Sequence, residues 1–116
     1  MTREGVALGD TWITDLTHFL DEDGQIAPAD GPARRLAEHL TAIVAMASYP
    51  EIVIPAKYNV RCRRRPARKP CGGHIEADLD ASTDEIMWWC TQCDDKGYIR
   101  NWKRSMWDLG DAVGSH

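Results

Sequence analysis

The chain has 116 residues, 43% of them hydrophobic and 28% charged, with a formal charge of −4. These are the proportions of one globular unit of roughly 100–150 residues. No apolar run approaches the roughly 20 residues of a membrane-spanning helix, so no membrane partner is expected. The opening Met1-Thr2-Arg3-Glu4-Gly5 leads into mixed polar sequence without the apolar segment of a secretory signal. The expectation is a cytoplasmic protein whose thiols stay reduced.

Residues 11–20 are rich in β-branched and aromatic types, with Trp12, Thr14 and Leu16 alternating against Ile13, Asp15 and Thr17. That period of two predicts a strand over at least part of this stretch, which the Asp21-Glu22-Asp23-Gly24 cluster ends. Asp30-Gly31-Pro32 then opens the clearest helix, because a proline near the first helical position gives up an N–H that would have no partner there. Leu36, Leu40, Ile43, Val44 and Ala47 fall on one helical face, with Arg34, Arg35 and Glu38 toward the other. Tyr49-Pro50 stops the helix, predicted over 32–48. One helix cannot bury such a stripe alone, so a sheet or a second copy must cover it.

The second half reads as strands threaded through cysteines. Residues 58–62 form a candidate strand, and 63–70, charged and holding Pro66 and Pro70, a loop. Residues 74–79 alternate Ile75, Ala77 and Leu79 against His74, Glu76 and Asp78. A polar connection leads to a strand over 85–90, with Trp88 and Trp89 on opposite faces, and 98–102 return as a further short strand. The fold class expected is α+β: one long amphipathic helix with a small antiparallel sheet, divided into a strand–helix segment (1–56), a cysteine-bearing β segment (57–109) and a frayed tail (110–116) that together form one unit.

Charge is segregated along this plan. Residues 1–56 carry −6 and residues 71–116 carry −5, whereas 57–70 hold seven cations and no acid. Arg61, Arg63, Arg64, Arg65, Arg68 and Lys69, with Arg100 and Lys103 further on, are the candidate anion- or nucleic-acid-binding residues. The alternative is a solvated loop whose cations pair with acidic neighbours, such as Asp21-Glu22-Asp23 of the same chain or of a partner.

Cys62, Cys71, Cys90 and Cys93 are the only cysteines, and they bracket the predicted hairpin. Cys90-Thr91-Gln92-Cys93 places two thiolates on one tight turn, a spacing at which both reach one ion, and zinc is the usual ion for four sulfurs. Cys71-Gly72-Gly73 supplies a further ligand in a turn that its glycines let fold closely. Eight residues separate Cys62 from Cys71, where two to four are usual. A second ligand set, Cys71, His74, Cys90 and Cys93, therefore stands beside the four cysteines, with His74 otherwise a solvent-facing or outer hydrogen-bonding group. Four cysteines are preferred, since an excursion between adjacent strand ends still lets both sulfurs face one ion.

Residues 58–107 resemble a zinc ribbon of the four-cysteine type. The string Cys62-Arg63-Arg64-Arg65-Pro66, Cys71-Gly72, Trp89-Cys90, Cys93, Gly97-Tyr98-Ile99 and Trp107-Asp108-Leu109 is similar to short bacterial zinc-ribbon proteins of unassigned function. The resemblance implies one structural Zn2+ and covers a little under half of the chain. Four sulfurs close the coordination shell, His18, His39, His74 and His116 are scattered, and no phosphate loop or nucleophile elbow appears. The expectation is thus no enzyme and no small-molecule substrate. A protein-interaction or scaffold module, with self-association open to it, needs the fewest coincidences; nucleic-acid binding through residues 61–69 is the alternative.

Overall fold

The structure is a computed structural model and describes residues 11–65 and 68–110, together with the backbone of 5–8. The tail at 111–116, His116 within it, and Pro66 of the basic loop lie outside the described residues. Strand β1 (Gly5–Leu8) pairs antiparallel with β2 (Thr11–Asp15). The strand expected over at least part of 11–20 is Thr11–Asp15; it ends at Asp15, whose carboxylate accepts hydrogen bonds from the backbone N–H and hydroxyl of Thr17 at 2.9 and 2.5 Å. That local bond competes with the ladder and turns Leu16–Phe19 into a 3-10 segment that drives Leu16 and Phe19 fully into the core.

Helix α1 (Pro32–Ser48) has the predicted bounds, with proline in its first turn and its stripe of Leu40, Ile43 and Val44 buried. The short strand β3 (Val60–Arg61), preceded by a 3-10 turn at Ala56–Tyr58, occupies only the end of the predicted strand at 58–62. Then follow β4 (His74–Asp80), β5 (Glu85–Cys90) and β6 (Lys96–Arg100), the last ending before Trp102.

The strands make one six-stranded sheet in the order β1-β2-β6-β5-β4-β3. It is larger than the small antiparallel sheet expected, and it is mixed: β2 and β6 run parallel, Thr11 beside Lys96 and Asp15 beside Arg100. Parallel neighbours need a long crossover, and here it is supplied by α1 and the β3–β5 excursion. Gly97 makes this pairing close. A Cβ there would stand 2.5 Å from the Trp12 carbonyl oxygen and 2.9 Å from the Trp88 ring, so only glycine lets backbone and indole approach at this point.

Alternation then sorts the faces. Ile75, Ile86, Trp88 and Ile99 point into the core shared with α1, and full burial of each aliphatic or aromatic side chain contributes about 1.5–3 kcal/mol. Glu76, Asp78, Met87, Trp89 and Tyr98 alternate with them in the ladders and take the opposite face. Trp88 is buried and Trp89 is 40% exposed, as the sequence predicts for adjacent strand residues. After β6 the chain closes over the core: Trp102 is buried and its indole N–H donates to the Asp84 carbonyl at 2.7 Å. Ser48 at the end of α1 receives the Leu109 N–H at 3.0 Å.

Candidate metal centre

The cysteines occupy one end of the sheet because the ladders put them there. Cys62 follows β3 directly, Cys71 stands three residues ahead of β4, Cys90 ends β5 and Cys93 lies in the turn into β6. Val60 pairs with Ile75 and Ile75 with Cys90, so these ends converge. The four sulfurs all lie within 4.8 Å of one another, with Cys62 Sγ 3.7 Å from Cys93 Sγ and Cys71 Sγ 3.6 Å from Cys90 Sγ. No disulfide joins them. A tetrahedral ion at the usual zinc–sulfur distance needs sulfurs about 3.8 Å apart, so the arrangement is compatible with a structural metal site.

The eight-residue gap between Cys62 and Cys71 closes by a backbone bond the sequence does not announce. The Cys71 N–H donates to the Arg64 carbonyl at 2.9 Å, and the Cys62 N–H to the Gly73 carbonyl at 3.1 Å. The loop is pinched at its base, and both sulfurs turn inward. Gly73 is the residue that permits this: a Cβ on it would stand 2.7 Å from Cys90 Sγ and 2.7 Å from the Gln92 side chain. Gly72 meets nothing within 4 Å, so of the two glycines only Gly73 is required by close approach.

Backbone N–H groups surround the sulfurs in a repeating way. Gly73 donates to Cys71 Sγ at 3.4 Å, and Gln92 and Cys93 donate to Cys90 Sγ at 3.3 and 3.4 Å. The N–H groups of Arg64 and Asp95 serve Cys62 and Cys93. Each sulfur thus receives the N–H of the residue two positions on, a donor set that favours thiolate. Burial raises the Cys90 thiol, but the Gln92 and Cys93 donors outweigh it and bring it down to about 7. Burial pushes the Cys62 thiol up. In Cys93 the Asp95 N–H works downward, against burial and the bond to Cys90, and the thiol ends above its ordinary value. Without an ion, then, charge concentrates on Cys90, while Cys62 and Cys93 keep protons that a metal must displace.

Asp95 is a component that sequence reading missed. Its buried carboxylate meets Arg64 Nη1 at 3.2 Å, and its carbonyl receives the Cys90 N–H at 2.8 Å. Burial raises its pKa and Arg64 pulls it back. No spacing signal marks an aspartate two residues after a cysteine as the partner of an arginine 31 positions earlier. His74 is exposed at the start of β4, its N–H donating to Thr91 Oγ1 at 3.2 Å, and the ligand group among the described residues contains cysteines alone.

The basic residues divide into two places. Arg61, Arg63, Arg65, Arg68 and Lys69 are exposed around the metal end, and among the described residues Arg64 is the only member of the block in an ion pair. The Asp21 carboxylate is occupied by its own turn, accepting the N–H groups of Asp23 and Gln25. Arg100 and Lys103 lie at the opposite end of the sheet, Arg100 on Glu85 and Lys103 on Asp84 at 2.9 Å. There they line a cleft of about 460 Å³ with Thr83, Asn101 and Trp102. The structure therefore does not join them to the 61–69 block.

Comparison with protein-family models, curated proteins and solved structures gives no match to this chain. Among the described residues no helix is long and apolar enough to cross a membrane.

Proposed function

We propose that the protein is a small non-catalytic module of the cytoplasm, stapled by one structural zinc ion in a zinc-ribbon-like arrangement, that works by contact with another protein. The zinc reading is supported by the sulfur spacing: four-sulfur tetrahedral sites take zinc or iron–sulfur clusters, and sulfurs 3.6–3.7 Å apart suit a single ion. Four sulfurs fill its shell and leave no position for water or substrate. Elemental analysis should find about one zinc per chain; a metal-free, folded protein whose stability ignores chelators would overturn this reading.

One observation carries the interaction role. Between Pro50 and Pro55, Ile52 is 101% exposed and Val53 79%. Two consecutive aliphatic side chains held in water forgo several kcal/mol of burial, and exposed apolar groups on a polar surface mark contact sites. A photo-crosslinking residue at position 53 should give one discrete adduct in cells, lost in an Ile52→Ser background. No adduct, or an unselective smear, ends the reading.

A second reading is supported by the exposed cations of the basic loop, of which only Arg64 is in an ion pair among the described residues; they suit phosphate contacts. Wild type and an Arg63→Ser, Arg64→Ser, Arg65→Ser variant should then differ in DNA or RNA binding, most strongly at low ionic strength. If wild type does not bind there, this reading is finished.

A further inference from the structure

We infer that the metal end is a self-association surface, on which the basic loop of one copy docks against the outer sheet face of a second copy, and that the metal gates the contact. The inference rests on the structural-zinc reading given above. Its donor side is the loop between Cys62 and Cys71. Arg63, Arg65 and Arg68 are exposed there and belong to no ion pair among the described residues, although most of the remaining chain is acidic.

The acceptor side is on the sheet face away from α1. Glu76 pairs directly with Trp89 across the β4/β5 ladder, and Asp78 is the next outward residue of β4. Both carboxylates are exposed and form no ion pair among the described residues, and Trp89 is 40% exposed between them and Lys96. Two carboxylates beside an open indole make a receptor for guanidinium groups, which pair with the acids and stack on the ring. Lys96, on the other flank of Trp89, restricts the approach to the β4 side.

Donor and acceptor sit at the same end of the sheet. Trp89 immediately precedes the ligand Cys90, and Glu76 is two residues from the start of β4, while the loop springs from Cys62 and Cys71. A two-fold axis past the metal ends lets each loop reach the other copy's patch, so the same contact is made twice, as a closed dimer requires. A standard interface takes about 800 Å² from each partner, roughly a tenth of the 7779 Å² surface. Both feet of the loop are candidate ligands, so removal of the ion leaves only the Cys71–Arg64 and Cys62–Gly73 backbone bonds to hold the donor in place, while β4 and β5 keep the acceptor.

Sedimentation velocity of zinc-loaded protein tests this. A dimer is expected at low ionic strength, dissociating as salt rises. Reversal of the loop (Arg63→Glu, Arg65→Glu, Arg68→Glu) or of the patch (Glu76→Lys, Asp78→Lys) should raise the dimer Kd on the order of 100-fold, since like charges then face each other. Mixing the two variants should restore the dimer, because each reversed loop now meets a reversed patch; zinc content reports that both remain folded. Chelation should return wild type to monomer. A zinc-loaded protein that stays monomeric overturns the inference and leaves the zinc reading standing, and monomeric protein whose loop binds polynucleotide assigns the loop to nucleic acid instead. A mixture that fails to dimerise overturns the charge pairing, and a dimer indifferent to chelator overturns the gating.

Discussion

At one end of the sheet, Leu16, Phe19, Leu40, Ile43 and Ile99 form a close-packed apolar interior, capped by the Trp102–Asp84 and Ser48–Leu109 hydrogen bonds. At the other, the chain is arginine, glycine and cysteine, and the atoms in the middle are four sulfurs. The first end is held by removal of apolar surface from water and needs nothing from outside. The second joins the same interior through Val60, Ile75 and the cysteines themselves, and small domains commonly order such loops with a metal. On the proposed metal reading, local ligation would order the loops that this interior does not fill.

The largest way to break this comparison is to remove the ion. Chelation, or Cys90→Ser, should collapse amide-exchange protection around β3 and the 90–96 turn while α1 keeps its own, with several kcal/mol lost overall, because zinc affinity in such sites is folding free energy. Equal loss of protection in α1 would show that the two ends are one cooperative unit. Leu40→Ala strikes the other end, where it should cost about 2–5 kcal/mol by cavity formation and leave zinc affinity in the native state unchanged, as a competition titration can check.

A third test lies between the ends, at His39. Burial first, and then the nearby Arg63 charge, push this histidine down from 6.5 to about 4. Its Nε2 has no hydrogen-bond partner among the described residues, and its ring meets Trp88 edge-on at 6.3 Å. In the unfolded chain it takes up a proton as pH falls through 6.5, whereas the folded protein resists until about 4. Its contribution is complete above the unfolded value and declines between 6.5 and 4, by about 3 kcal/mol in all. His39→Phe keeps the aromatic contact and should remove that part of the pH dependence, seen as the difference between the two stability–pH curves. Identical curves would show that His39 titrates as in water. The smallest effect expected is Trp102→Phe, which keeps most of the burial but gives up the part-buried bond to the Asp84 carbonyl, at about 0.5–1.5 kcal/mol; thermal unfolding measures it.

The helix was legible to the residue, because Pro32, the apolar spacing and Tyr49-Pro50 are signals within a few turns of the element they define. The opposed Trp88 and Trp89 were legible for the same reason, since alternation is intrinsic to a strand. Residue types alone place a strand somewhere in 11–20 without saying where it ends. Nothing local reveals that the Asp15 carboxylate captures Thr17 and bends the chain into a 3-10 turn. Leu79 shares the side of Ile75 and Ala77, as the alternation predicts, but β3 covers β4 only at His74 and Ile75, and Leu79 is 45% exposed.

By itself the sequence determined which groups are able to bind a metal, where the helix runs and where the charge lies, all properties of side-chain chemistry and short-range spacing. Only the tertiary structure decided that β2 lies parallel to β6, that Cys71 reaches Cys62 across its long excursion, and that Asp95 pairs with Arg64. It also decided that the other described cations of the loop form no ion pair among the described residues and that Ile52 and Val53 stand in water. The physical reason is common to all of these. Period and spacing specify what each segment presents on its faces, whereas the segment it meets depends on loop closure and packing across the whole chain.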